Sequence, residues 1–290
     1  MHPTDPVLLQ PLALAAYGGG WLARLHARVE RVASRSTLSA LRHHGPLRVQ
    51  KALWPEGPDP VHLIVLHPPG GIAGGDALEL SLDVGPDASA LVTTPGAGHW
   101  YRADAPATQA VRLSVGEGAT LEWLPQETIV HDGVQALATL ELDVAPGGRA
   151  IGSEVVVLGR RESGERLETG LLRQRISLRR AGEPLLDEHA HIDAAGARVE
   201  AALGGHHVSG LLWGVSCEPV PDALAADAEA AMDASGVSLA GASRAHPHLL
   251  LARAVDSSPQ RVRAALHAAW RVVRPALTGR EAATPRIWMT

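Results

Sequence analysis

Between Trp21 and His191 the apolar residues fall in short or alternating runs, broken by Gly and Pro at intervals of roughly 8 to 14 residues. Period-two alternation predicts strands, because successive side chains of a strand face opposite sides of its sheet. The runs Val61–Leu66, Ala77–Val84, Ala90–Thr94, Ala110–Val115, Thr120–Leu124, Ala136–Val144, Ala150–Leu158 and Gly170–Leu178 are the candidates. Three turns between them are near copies: Val84-Gly85-Pro86-Asp87, Val115-Gly116-Glu117-Gly118 and Val144-Ala145-Pro146-Gly147-Gly148. They recur about 30 residues apart, and such a repeat suggests a coiled, layered β structure whose units bury their apolar faces against their neighbours. The same spacing also suits a β-sandwich.

After Gly205 the pattern changes. His207–Cys217 reads as a strand, and Pro221–Ser235 as a helix with Leu224, Ala228, Ala231 and Met232 on one face. Val237–Ala242 and His248–Val255 read as two further strands. Ser258-Pro259 opens a second helix, with Val262, Leu266, Trp270 and Val273 along one stripe and Pro275 near its end. The expectation is a mainly β protein: a layered β body over residues 1–204, and a β-α-β-β-α unit with two helices over residues 205–290. That unit is packed on the body or continuous with it.

Composition narrows the function. In 290 residues, 46% hydrophobic and 20% charged is ordinary for a globular chain. A net charge of −5 argues against a nucleic-acid surface, which draws affinity from clustered Lys and Arg. Cys217 is the only cysteine, so no intrachain disulfide, Cys-based zinc knuckle or CxxC pair can form, and a reducing compartment is expected. No apolar run approaches the roughly 20 residues that span a bilayer. The first residues, with Pro3, Asp5, Pro6 and Pro11, lack the basic-then-apolar pattern of a signal peptide. The expected location is the cytoplasm, with no membrane contact.

Candidate chemistry is sparse. The loop His67-Pro68-Pro69-Gly70-Gly71-Ile72-Ala73-Gly74-Gly75-Asp76 is rich in glycine, but no Gly-Lys-Ser/Thr ends it and a strand follows, which excludes a P-loop reading. Thr93–Arg102 is a second glycine-rich turn. Leu121–Glu127 carries two carboxylates, Glu122 and Glu127, which with the 15 histidines leave open a metal-dependent hydrolase. His189 and His191 share one face of a strand, a feasible metal-ligand spacing and equally a solvated polar edge. There is no Gly-x-Ser-x-Gly elbow and no His-Glu-x-x-His helix.

Five segments in this order resemble one family: HPPGGIAGGD from His67, TTPGAGHWYR from Thr93, LEWLPQETI from Leu121, LGR from Leu158, and LTG…PRIW from Leu277 to Trp288. By these the chain resembles the urease accessory protein UreD, or UreH, family, over about Leu47 to Thr290. The resemblance implies a non-catalytic scaffold, a chaperone of nickel insertion and metallocentre assembly, which binds apo-urease and UreF and, through UreF, UreG. It implies a right-handed β-helical body with two helices and no tightly bound cofactor, with nickel in transit along an internal tunnel. Asp76, Glu154 and Glu188 map to polar positions of that tunnel, with His189 and His191 as weaker metal candidates. UreF docking falls to the C-terminal part, where Arg263, Trp270, Arg271, Arg286 and Trp288 are the candidate contacts. Family members commonly carry Ser-Lys where this chain has Gly98-His99, and some carry Asp in place of Glu154.

Overall fold

A computed structural model of the chain describes residues 19–198 and 203–289; the stretch with Pro3, Asp5, Pro6 and Pro11 lies outside the described residues. The strands are β1 (Leu22–Val32), β2 (Arg35–His44), β3 (Arg48–Leu53), β4 (Val61–Leu66), β5 (Gly71–Ile72), β6 (Ala77–Val84), β7 (Ser89–Thr93), β8 (Gly98–Trp100) and β9 (Ala107–Val115). There follow β10 (Thr120–Leu124), β11 (Thr128–Val130), β12 (Val134–Val144), β13 (Arg149–Leu158), β14 (Gly170–Arg180), β15 (Glu183–Asp193) and β16 (Val208–Val215). Helix α1 (Asp222–Asp233), β17 (Leu239–His246), β18 (Leu249–Asp256) and helix α2 (Pro259–Thr278) complete the order. The protein is mainly β, as the alternating pattern predicts.

Among the described residues the strands form two sheets. The first runs β15-β14-β12-β9-β6-β1-β2, and the main path of the second runs β17-β18-β16-β13-β10-β7-β4-β3. Consecutive strands step from one sheet to the other: β6 to β7, β9 to β10, β12 to β13. Within each sheet successive members pair in parallel, β6 with β9 and β9 with β12, and β4 with β7, β7 with β10 and β10 with β13. This is the layered arrangement that the repeat suggests. It differs from a sandwich of antiparallel hairpins because every parallel connection passes through the facing sheet.

The repeat works because equivalent positions stack. Leu80, Val111, Leu140 and Ile176 are aligned across four strands of the first sheet, all pointing between the sheets. The three copied turns form a ladder of their own. Gly85, Gly116 and Ala145 each donate a backbone N–H, at 2.8 Å, to Val29, Val84 and Val115 of the preceding layer.

The second sheet buries both faces. Its inner face meets the first sheet, and its outer face packs Leu91, Leu124, Ile151, Leu212 and Leu250 against α1 and α2. Helix α1 contributes Leu224, Ala225, Ala228 and Met232; α2 contributes Val262, Leu266, Trp270 and Val273, the stripe read from the sequence. Ser258 caps α2 by accepting the Arg261 N–H, and Gly279 ends it in the left-handed region. Because β16 pairs antiparallel with β13, the C-terminal β-α-β-β-α unit continues the second sheet. No helix among the described residues is long and apolar enough to cross a membrane.

As with β1, β2 and β3, which no predicted run covers, the short strands β5, β8 and β11 are absent from the sequence expectation. They pair in parallel, with Gly71 opposite His99 and His99 opposite Ile129, and β11 pairs onward to β13. Three of the segments that carry the family resemblance thereby become stacked corner segments of consecutive layers.

Candidate functional site: a cavity between the sheets

The corner segments and the inward faces of both sheets enclose a cavity of about 310 Å³. His67, His99 and Trp100 reach it from the corners, and Gln109, Glu154 and Gln174 from the sheets. Glu154 points inward from β13 and accepts a hydrogen bond from Gln174 Nε2 at 2.6 Å. Its side chain is accessible from the cavity yet shielded from bulk solvent. That burial, and secondarily the charge of Glu188, push its pKa up to about 7.

Glu188 of β15 is not among the residues that line the cavity; its partly exposed side chain is held by a forked pairing with Arg253 of β18, in which Nη1 donates to Oε1 at 3.0 Å. The structure thus brings Glu154 and Glu188 into electrostatic contact. Asp76 lies apart from them and does not line the cavity. Its carboxylate accepts the backbone N–H groups of Trp21 at 2.8 Å and Ala73 at 2.9 Å, fastening the glycine loop to the start of β1. His67 stands near enough to feel Asp76, but burial dominates and lowers the pKa of its imidazole.

His189 and His191 do share one face of β15, and that face is the exposed one. His189 lies 3.3 Å from Asp187. Among the described residues no three His, Cys, Asp or Glu side chains converge as a metal site. A histidine pair that the sequence reading overlooks lies at the corner instead. His99 Nδ1 stands 2.9 Å from His131 Nε2, and Tyr101 packs against both rings. Burial first, and the Arg160 charge next, depress the His131 pKa. The available signal was the repeat itself: the two histidines are 32 positions apart, about one layer.

The carboxylates of the hydrolase alternative are structural. Glu122 is 1% exposed, bound by Arg274 Nε at 3.0 Å and by Trp270 Nε1 at 2.8 Å, while Arg274 also clasps Glu56 at 2.8 Å. Glu127 pairs with Arg263 at 3.3 Å. Burial would lower the Arg274 pKa, but its bonds to Glu56 and Glu122 outweigh that and raise it. Glu122 is thus committed to Arg274 and Trp270 inside the core, and Glu127 to Arg263.

The C-terminal candidates divide. Trp270 is buried in the core, which corrects its reading as a surface anchor. Trp288 stacks on His267 at 4.6 Å and donates from Nε1 to Thr93 Oγ1 at 2.7 Å. Arg271 and Arg286 remain on the surface, Arg271 reaching Thr284 Oγ1 at 3.2 Å.

Stacked parallel strands around a partly polar cavity, covered on one outer face by two helices, define a layered mainly β protein with an internal chamber. A family model described as UreD urease accessory protein matches residues 22–289, nearly the whole chain. The chain is 43% identical to the urease accessory protein UreD of Delftia acidovorans, over 96% of this chain and 97% of that protein. Identity is 42% to the UreD of Azoarcus sp., with the same coverage, and 38% to that of Ralstonia nicotianae, over 100% of this chain and 99% of that protein. The chain belongs to the UreD family of urease accessory proteins.

Proposed function

We propose that this chain is a non-catalytic, cytoplasmic scaffold in maturation of the urease nickel centre, and that the cavity between its sheets carries nickel in transit. The body is read as a right-handed β-helix whose corners admit the ion and whose interior passes it on. Apo-urease and UreF are the direct partners, with UreG joining through UreF, and the surface of α2 and the final turn, with Arg263, Arg271 and Arg286, is the UreF contact. No cofactor is resident; nickel is cargo.

The observation that carries the reading is Glu154. A single carboxyl on a cavity wall, its pKa raised by burial to about 7, can exchange a proton for a cation without caging it. Passage needs exit as much as entry, and sparse oxygen ligands suit it better than a closed site. The charge of Glu188, outside the cavity lining, is felt at Glu154, while Asp76 keeps the glycine loop in place.

Replacing Glu154 and Glu188 together by Gln tests this. The variant is expected to lower the nickel content of urease while still co-purifying with UreF and apo-urease, because conduction needs the charges and docking does not. Full nickel content in that variant would end the transit reading. Asp76→Ala is expected to act differently, reducing soluble protein, since the carboxylate that fastens the glycine loop to the start of β1 is lost.

A further inference from the structure

The outer face of the first sheet carries charge in a regular order. Both helices pack on the second sheet, so neither covers this face. β1, β6, β9, β12 and β14 run parallel and in register, which sets their outward side chains in straight rows. β6 presents Glu79 and Asp83, β9 presents Arg112, β12 presents Glu141 and Asp143, and β14 presents Arg175 and Arg179. The sign thus alternates from strand to strand. Glu79 shares a row with Arg175, Arg112 shares the next with Glu141, and Asp83 shares the third with Asp143 and Arg179. Arg112, Glu141, Asp143 and Arg179 are exposed. The lateral pair Arg112–Glu141, at 3.6 Å, is open to solvent at both partners, so it is weak and leaves the carboxylate room for a second cation.

This pattern is complementary to itself. A line parallel to the strands between β9 and β12 has opposite signs at equal distances on its two sides: β9 against β12, then β6 against β14. A second copy turned by 180° about that line keeps its strands aligned with those of the first, an arrangement in which two sheets pack face to face. It lays Arg112 over Glu141, Glu79 over Arg175 and Asp83 over Arg179, each contact occurring twice by symmetry. Ala110 meets Thr139 beside the axis, where short side chains let the faces approach. Turning the copy about a line across the strands would instead set Glu79 over Asp83 and Arg175 over Arg179, like on like, which repels. From β1 to β15 the face measures about 28 Å across the strands and about 26 Å along them, at the usual strand spacing and rise. That is close to the roughly 800 Å² per partner of a stable interface.

We infer that the outer face of the first sheet is a self-association surface, on which a second copy of this chain docks about a two-fold axis parallel to the strands between β9 and β12. The lateral pairs of each copy join across the interface into one network, in which carboxylates of β6 and β12 lie against arginines of β14 and β9. The surface belongs to the isolated chain and does not rest on nickel transfer or on contact with urease.

Sedimentation velocity of the full chain, at low and at high salt, tests the surface. The expected result is a dimer at low salt that dissociates as salt rises, because the contacts are between charges near solvent. Arg112→Glu and Glu141→Arg are each expected to lose the dimer, since each sets like charges face to face twice. Mixed in equal amounts, the two variants are expected to dimerise with each other, since every contact between positions 112 and 141 then joins opposite charges. Arg271→Glu, on α2, changes the net charge equally and is expected to keep the dimer. Thermal unfolding establishes that the variants are folded. Should either single variant fail to fold, the pair Asp83→Arg and Arg179→Glu takes their place in the same mixing experiment. A wild-type chain that is monomeric at low salt, a dimer that survives Arg112→Glu, or folded variants that stay monomeric when mixed would each overturn the surface.

Discussion

Two buried acids of this protein behave differently because of what faces them. Glu122 has a guanidinium and an indole N–H as partners, whereas Glu154 has one amide and a second carboxylate nearby. The consequence for Glu154 is a pH-dependent stability whose sign is fixed. Its pKa is about 7 in the folded chain against an ordinary 4.5 for a solvated glutamate, so between these values the folded state keeps a proton that the unfolded state has lost. Stability therefore falls as pH rises through that window and levels off above about 7, by up to roughly 3 kcal/mol. Glu154→Gln keeps an acceptor for Gln174 and removes the titration. Urea denaturation should show the variant close to wild type near about pH 4 and more stable than wild type by up to roughly 3 kcal/mol near about pH 8. Equal stabilities near about pH 8 would mean that water reaches the carboxyl freely.

At the scale of elements, α2 can lie on the second sheet because β16 presents glycine where the helix is nearest. A Cβ on Gly210 would stand 2.5 Å from Val262 and 2.9 Å from Leu266, and one on Gly214 would stand 2.7 Å from Leu277. Gly210→Val is accordingly expected to lift the helix or strain its side chains and to cost about 1–3 kcal/mol, measured by chemical denaturation. An unchanged midpoint would show that the helix has room to shift. The helix itself was legible in the sequence, since its capping Ser, Pro at the first turn and apolar stripe are local signals. So were the longer repeat strands, β6 and β10 to the residue, because alternation and turn chemistry act over a few neighbours. β5, β8 and β11, at two or three residues, are too short to show a period. The Arg274–Glu122 pair joins positions 152 apart, and nothing local announces it. The family resemblance, not periodicity, pointed to Glu154 and Glu188; their mutual proximity required the pairing of β14 with β15.

Over the whole molecule, the two cores share one sheet, and this decides how a partner surface can be tested. Removing the chain from Pro259 onward would take away the α2 half of the outer core and uncover Leu91, Leu124, Ile151 and Leu212. It would also strand Glu56 and Glu122 without Arg274. Loss of a buried ion-pair partner alone costs on the order of 3–5 kcal/mol, a large share of the stability of an ordinary domain. Such a truncation is expected to yield insoluble protein, and its failure to capture UreF would report unfolding rather than docking. Charge reversal at the surface separates the two. Arg271 and Arg286 are not part of the core, so Arg271→Glu with Arg286→Glu should leave the thermal transition within a few degrees of wild type. If the α2 face meets UreF, the same variant should weaken UreF capture at low salt most of all, because exposed charge pairs are screened as ionic strength rises. A folded double variant that captures UreF as well as wild type at every salt concentration would place the contact elsewhere on the molecule.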